Sequence, residues 1–317
     1  MTYKQFLEKI KQGVCDFMGG EVEVIMSTIM KNNGIFMDGL SIIEDGKNIS
    51  PTIYINGYYE EYKQGKSISS IIYDIVAIYE DGKLKENINV EFFVDYEKVK
   101  TRIVFKLINY KKNKKLLEQV PHRKFLDLAV VYYCIVLNDV LGNATILVYN
   151  AHKTLWNITE EDLYKKAKEN TPNILGVEFK SMEEIIEEVL TDELHKKKQD
   201  ENAEEELKAW LTETFSKKEE KGSAPMYVLT NKTRIFGASC LLYENILEVL
   251  GKKINHDYYI LPSSIHEVII VPSWKEEDPE MLKNMVKDVN TNQVEVEEVL
   301  SDEIYYYSRE KGELEKL

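Results

Sequence analysis

The amino-acid sequence predicts an α+β fold in which helices pack on a mainly antiparallel sheet. Apolar runs at residues 258–261 and 268–271 flank a Pro/Ser turn, a pattern typical of two buried strands, so we expect a central hairpin over residues 257–272. Asn33-Gly34 follows an alternating apolar segment and predicts a second tight hairpin. Apolar residues at helical spacing predict the helices that pack on this sheet. The first such set is Phe6, Ile10, Val14 and Phe17.

In the N-terminal half, segments whose apolar residues have helical spacing alternate with segments whose pattern is typical of strands. The first helix is expected over residues 3–18 and to end at Gly19-Gly20. Pro51 marks a short extended segment, and Gly65 separates two further helices. Those helices are predicted at residues 58–62 and 68–79, strands at 90–94, 103–108, 125–137 and 143–149, and helical turns at 96–100 and 111–119. A turn at residues 141–143 would join the last two strands into another hairpin.

The C-terminal half begins with a clear helix start. Thr159 precedes three acidic residues, which suits an N-cap followed by negative charge at the positive end of a helix that reaches Asn170. Strands are then predicted at residues 174–179 and 226–229, and helices at 182–190, 236–250, 279–289 and 299–307. The polar residues 310–317 are expected to fray.

The charge distribution divides the chain into two predicted α+β lobes, residues 1–190 and 223–317. Residues 191–222 between them are dense in charge, with only Trp210, Leu211 and Phe215 as a narrow apolar stripe. We interpret this segment as a solvated helical linker or insert. The alternative is a regulatory or partner-binding arm.

Composition limits the classes of function. With 317 residues, 44% hydrophobic and 30% charged, the chain has the balance of a globular protein. A net charge of −14 argues against nucleic acid as the main partner, because phosphate binding depends on clustered Lys and Arg. Its N-terminus lacks a signal-peptide core, and its longest apolar run is too short to span a membrane, so we expect a cytoplasmic protein.

Ser264 and His266 in the turn of the central hairpin are the first candidate site. Two residues apart on an extended chain, they share a face, so a Ser–His nucleophile is possible, with a distant acid such as Asp127. The chain has no Gly-x-Ser-x-Gly elbow. The structural alternative is a turn whose hydroxyls bond the backbone, with Asp127 in a salt bridge or a strand-end hydrogen bond.

A second, weaker candidate is an anion site at Lys232, Arg234 and Gly237, where a strand leads into a helix. Its structural alternative is a polar turn with Gly237 permitting close packing. The one basic cluster, residues 111–124, is interpreted as a solvated helix face, and the alternative is a phosphate-binding surface. Three separated cysteines and five histidines lack metal-binding spacing, so no metal and no cofactor are predicted.

Several stretches resemble a family of clostridial and gut-bacterial proteins known as a domain of unknown function, DUF5688. They include KNNGIFMDGLSI, VPHRKFLDLAVVYY, NKTRIFGAS and YYILPSSIHEVIIVP. The resemblance implies a bacterial protein and supports the domain outline, but it assigns no activity to any residue. Two hypotheses follow: a non-enzymatic binding or assembly protein with a protein or small-molecule partner, which we favour, or a hydrolase using Ser264 and His266. No oligomeric state is assigned from the sequence.

Overall fold

The computed structural model describes residues 1–19, 22–48, 50–83, 91–138, 142–196, 225–273 and 278–317. Within these residues helices accompany three mainly antiparallel sheets, so the predicted α+β class is confirmed. The chain forms two compact units. The first comprises Met1–Val99 and Val136–Ala144, and the second Lys100–Ile135 and Thr145–Leu317.

The first unit packs helices against one face of a three-stranded sheet of order β1-β2-β3. Its elements are α1 (Tyr3–Met18), β1 (Val22–Met30), β2 (Phe36–Glu44), β3 (Thr52–Tyr54), α2 (Asn56–Lys63), α3 (Ile68–Gly82) and α4 (Tyr96–Val99). Helix α1 starts with a capping box between Thr2 and Gln5 and ends at Gly19, with φ +81°. Its apolar stripe lies in the unit's core with Leu40 and Ile71.

The β1–β2 hairpin forms where Asn33-Gly34 predicts it, with φ values of +60° and +70° at these residues. The predicted strand at residues 90–94 is wrong, because residues 91–94 form a 3-10 helix. Asp95 explains the difference: its backbone N–H closes a turn onto Phe92 O at 3.3 Å, and its carboxylate accepts a bond from Glu97 N at 3.0 Å. These bonds begin a helical turn instead of a strand.

The second unit contains a sheet built around one long strand. It includes β4 (Ile103–Asn109), α5 (Lys114–Leu117), β5 (His122–Phe125), most of β6 (Leu128–Asn138), the end of β7 (Gly142–Leu147), α6 (Asn150–Leu155) and α7 (Glu160–Leu175). Strand β6 pairs with β4, β5 and β7. The single strand predicted over residues 125–137 is therefore two strands, because Leu126 (φ +53°) and Asp127 form a tight turn that pairs Phe125 with Leu128.

A six-stranded sheet of order β13-β12-β10-β11-β9-β8 completes the second unit. Its elements are β8 (Glu178–Ser181), α8 (Met182–Lys196), β9 (Tyr227–Thr230), α9 (Ile246–Ile254), β10 (Tyr258–Leu261), β11 (Val268–Pro272), α10 (Pro279–Asn292), β12 (Tyr305–Ser308) and β13 (Glu313–Lys316). The predicted central hairpin is confirmed as β10 and β11, which lie in the interior of the sheet.

Four C-terminal expectations are corrected. Helix α7 continues through Leu175, so β8 starts later than predicted. The helix expected over residues 236–250 is a 3-10 helix, Gly237–Leu242, and a separate α9, because Asn245 has φ +57°. Residues 299–307 end in strand β12, and residues 310–317 contain β13 rather than a frayed tail. Cross-strand pairs of Tyr258 with Tyr307 and Tyr259 with Tyr306 hold β12 on β10.

The predicted linker lies outside the described residues apart from residues 191–196. The strands that flank it, β8 and β9, pair with each other from Glu178↔Thr230 to Ser181↔Tyr227. The division into lobes at residues 190 and 223 stays a prediction. In the part of the chain that is described, no helix combines the length and apolarity needed to cross a membrane.

Candidate functional site

The turn between β10 and β11 packs against the segment before β12. Ser264 is buried, and its Oγ accepts a hydrogen bond from the backbone N–H of His266 at 3.0 Å. Ser264 also forms a β-bridge with Val299, and Leu300 N donates to Ser263 O at 3.0 Å. The candidate serine is therefore held by backbone bonds at both sides of the turn.

His266 has a partner on each ring nitrogen. Nδ1 accepts a bond from Phe236 N at 3.3 Å, which assigns the proton to Nε2, and Nε2 lies 3.3 Å from Glu298 Oε1. The imidazole also stacks on the Phe236 ring at 5.7 Å between centroids. The structure thus joins His266 to Phe236 and Glu298 through its ring, whereas its bond to Ser264 runs through the backbone.

Asp127 lies in the turn between β5 and β6 and is held by two hydroxyl groups. Its carboxylate accepts bonds from Ser301 Oγ at 2.6 Å and Tyr305 OH at 2.7 Å. Burial and the neighbouring Asp127 charge raise the pKa of Tyr305 well above its usual value. Among the described residues no hydrogen bond connects Asp127 with Ser264 or His266. Arg123, one of the cations close in sequence, pairs instead with Glu160 and Glu161.

The loop after β9 holds the anion-site candidates in a fixed backbone conformation. Asn231 is fully buried, and its side chain accepts bonds from Thr233 N and Oγ and donates to Ile235 O. Arg234 and Phe236 both adopt positive φ, +55° and +57°. Left-handed backbone costs about 1–2 kcal/mol per non-glycine residue. The Asn231 bonds and the Phe236–His266 contacts offset this strain.

The three anion-site candidates each contact other parts of the protein. The Arg234 guanidinium pairs with Glu178 at 3.3 Å and Glu188 at 2.6 Å. Lys232 packs its side-chain carbons on Gly176, where an added Cβ would lie 2.9 Å from Lys232 Cδ. A Cβ on Gly237 would lie 2.0 Å from Thr230 Oγ1 and 2.4 Å from His266 O. Glycine is required at this position because Thr230 Oγ1 donates to His266 O at 2.8 Å beside it.

A cavity of about 660 Å³ lies next to Lys232 and Arg234. The other side chains that line it are Thr191 and four glutamates, Glu178, Glu184, Glu187 and Glu188. The carboxylates outnumber the two cations, so the electrostatic environment of this cavity opposes an anionic ligand.

A larger cavity of about 860 Å³ lies at the start of α9 and the β12–β13 turn. Apolar and aromatic side chains, including Leu241, Leu247 and Tyr307, form part of its wall. Its charged residues are Glu248, Lys252, Asp257, Arg309, Glu310 and Lys311. Its volume falls within the range of about 300–1,000 Å³ that ligand sites occupy. We call it the Tyr307 cavity.

Sequence reasoning missed the Tyr307 cavity. Its cation Lys311 lies in the predicted frayed tail, residues 310–317, and Arg309 lies between that tail and the predicted helix at residues 299–307. The available signal was the turn residue Gly312, which has φ +66° and separates the tyrosine-rich segment Tyr305–Ser308 from Glu313–Lys316.

Metal and thiol chemistry find little support in the described part of the chain. No group of three or more His, Cys, Asp or Glu side chains there could hold a metal ion. The three cysteines are free, and burial raises the pKa of Cys134 and Cys240 to about 12. Thiols with such raised pKa values are protonated at neutral pH and are poor nucleophiles.

The fold and these sites define an α+β protein of two units with an amphipathic cavity in the second. Residues 3–309 match the model of a family described as Family of unknown function (DUF5688), and the chain belongs to this family. The resemblance noted in the sequence is thus confirmed. Neither a curated protein nor a solved structure matches the chain.

Proposed function

We propose that this protein is a non-enzymatic binding protein of the bacterial cytoplasm, and that the Tyr307 cavity is its binding site. The bonding of His266 carries the proposal. A histidine that activates a serine must present an unprotonated ring nitrogen to the hydroxyl. Here Nδ1 accepts from Phe236 N, and Nε2 is directed to Glu298.

The surroundings of Ser264 support the same conclusion. Its oxygen accepts a hydrogen bond from His266 N at 3.0 Å within the same turn. The proposed distant acid, Asp127, bonds Ser301 and Tyr305 instead. The residues selected for catalysis therefore stabilise the second unit, whereas the Tyr307 cavity is large enough for a small molecule. We favour a small molecule over nucleic acid because the chain carries a net charge of −14.

A fluorophosphonate probe tests the absence of an activated serine. We expect no covalent labelling of the native protein at Ser264, as measured by intact mass and peptide mapping, with a known serine hydrolase as positive control. Ser264→Ala should cost about 1 kcal/mol of unfolding free energy through its lost hydrogen bonds. The neighbouring variant Ser263→Ala is the matched control. Labelling of Ser264 that disappears on denaturation and in Ser264→Ala would establish the hydrolase hypothesis instead.

A further inference from the structure

We propose that the Tyr307 cavity binds a small organic anion, a carboxylate, sulfonate or phosphate carried on an apolar body, with Arg309 and Lys311 as its cationic partners. This inference rests on the proposed binding function and adds the class of ligand. It starts from the charges that line the cavity, three cations and three carboxylates.

Most of the negative charge in the cavity has a partner already. Glu248 forms an ion pair with Lys252 one turn along α9. Asp257 accepts bonds at both oxygens, from Arg309 N at 3.0 Å and from Tyr306 OH at 2.8 Å. In the part of the chain that the structure describes, the side chains of Arg309 and Lys311 have no ion-pair partner. Two cations are thus without an ion-pair partner, while Glu310 and the hydrogen-bonded Asp257 carry the remaining negative charge of the cavity.

The backbone around these two cations is fixed. They lie in the β12–β13 turn, where Gly312 N donates to Ser308 O at 2.8 Å and Arg309 N is held by Asp257. The Arg309 stem packs on Gly251 of α9, where an added Cβ would lie 2.9 Å from Arg309 Cγ. A cation whose stem is ordered before binding loses less conformational entropy when it meets its ligand.

The remaining lining selects the body of the ligand. Leu247 supplies a small, half-buried apolar surface in a mostly polar lining, and Leu241 and Tyr307 are buried beneath it. Apolar surface beside a forked guanidinium matches an aromatic or aliphatic group that carries a carboxylate, sulfonate or phosphate. A bare inorganic anion would leave this apolar surface uncovered.

Two fluorescent probes that differ by one charge test the inference. Anilinonaphthalene sulfonate has an apolar body and a sulfonate, and N-phenyl-naphthylamine has the same rings without the sulfonate. We expect the folded protein to bind the sulfonate at one site. Arg309→Gln combined with Lys311→Gln should weaken that binding about tenfold or more, the usual effect of losing charge-assisted hydrogen bonds. Binding of the neutral probe should change by less than about twofold.

Matched variants separate a specific site from general charge effects. Lys287→Gln removes an exposed cation of α10 away from the cavity and should change the sulfonate's Kd by less than about twofold. Arg309→Lys should retain part of the affinity. Gly251→Ala keeps every charge but displaces the Arg309 stem, and it should weaken binding of the sulfonate more than binding of the neutral probe. Near-ultraviolet circular dichroism confirms that each variant is folded.

Three results would overturn the inference: no sulfonate binding by the native protein, equal loss in Lys287→Gln and the double variant, or displacement of the probe by inorganic phosphate as effectively as by phenyl phosphate. The proposed non-enzymatic function is tested separately, by labelling of Ser264 with the fluorophosphonate probe. Its failure can therefore be distinguished from these three results. A cavity that binds neutral or cationic molecules would refute the anion class and leave the binding function standing.

Discussion

Glu267 is a half-buried carboxylate at the end of the turn that carries Ser264 and His266. Burial raises its pKa, with a smaller contribution in the same direction from Glu298, while interactions with Ser264 and His266 oppose the shift. The folded protein therefore holds the proton of Glu267 to higher pH than the unfolded chain does. Ionisation of this group costs stability as the pH rises from the unfolded pKa, about 4.3, through the folded pKa.

We predict that Glu267→Gln stabilises the protein at pH 7. Glutamine removes the buried charge and keeps the size and the hydrogen-bonding capacity of the side chain. Below about pH 4.3 the carboxyl is protonated in both states, so the advantage of the variant should disappear there. Urea unfolding at pH 7 and pH 4 measures the difference. The exposed Glu295→Gln should be close to neutral at both values, and a Glu267→Gln variant less stable than wild type at pH 7 would contradict the prediction.

The sequence indicated part of the cluster that surrounds the imidazole of His266. Ser264, His266 and Glu267 are neighbours in the chain, so their meeting could be anticipated. Phe236 and Glu298 come from distant segments, and only the pairing of the turn with residues 298–301 brings Glu298 to the imidazole. Because hydrogen-bond partners determine what a histidine can do, the sequence indicated candidate residues but not their role.

At the scale of elements, β11 is an interior strand of the large sheet whose two faces differ in burial. It lies between β10 and β9, and Ile270 is fully buried on one face. On the other face Ile269 is half-buried and packs in the cluster that contains Val286 of α10. Both faces are therefore covered, but unequally.

We predict unequal costs for truncating these two isoleucines. Ile270→Ala should lower the unfolding free energy by about 2–5 kcal/mol, the range for emptying a buried site. Ile269→Ala should cost about 2 kcal/mol or less, because part of its surface already faces water. Chemical denaturation compares them, with the exposed Val249→Ala on α9 as the near-neutral control. Equal losses for Ile269 and Ile270 would show that the two faces are equally enclosed.

Elements whose apolar spacing fits only a helix or only a strand could be predicted from the sequence. Elements whose spacing fits both could not. Helix α1 and the hairpins combine regular spacing with explicit end signals such as Gly19 and Asn33-Gly34. The tyrosine run of β12 suits a helix or a strand equally, and the cross-strand rings of Tyr258 and Tyr259 decide in favour of the strand. Asn245 is the N-cap residue of α9, and it adopts a positive φ that asparagine tolerates but that the surrounding sequence does not reveal.

At the scale of the whole molecule, the charged segment connects two strands that are neighbours in one sheet. Strands β8 and β9 pair, and α8 begins beside β9, where Met182 N donates to Met226 O at 2.9 Å. Helix α8 extends over 15 residues, about 22 Å at 1.5 Å per residue. A connection from its end must return over that distance. A flexible Gly/Ser chain has a matching mean span at about 16 residues.

We predict that residues 197–221 can be replaced by about 13 Gly/Ser residues, which reach this span together with the retained residues 222–224. The melting temperature should shift by less than about 4 °C, the effect of about 1 kcal/mol in a domain of this size. Direct deletion of residues 197–221 is the control, since the three retained residues extend to only about 14 Å and must unwind α8 or separate β8 from β9. If the flexible replacement itself abolishes cooperative unfolding, then Trp210 and Phe215 contribute to the core, and the segment is part of the fold rather than a connection.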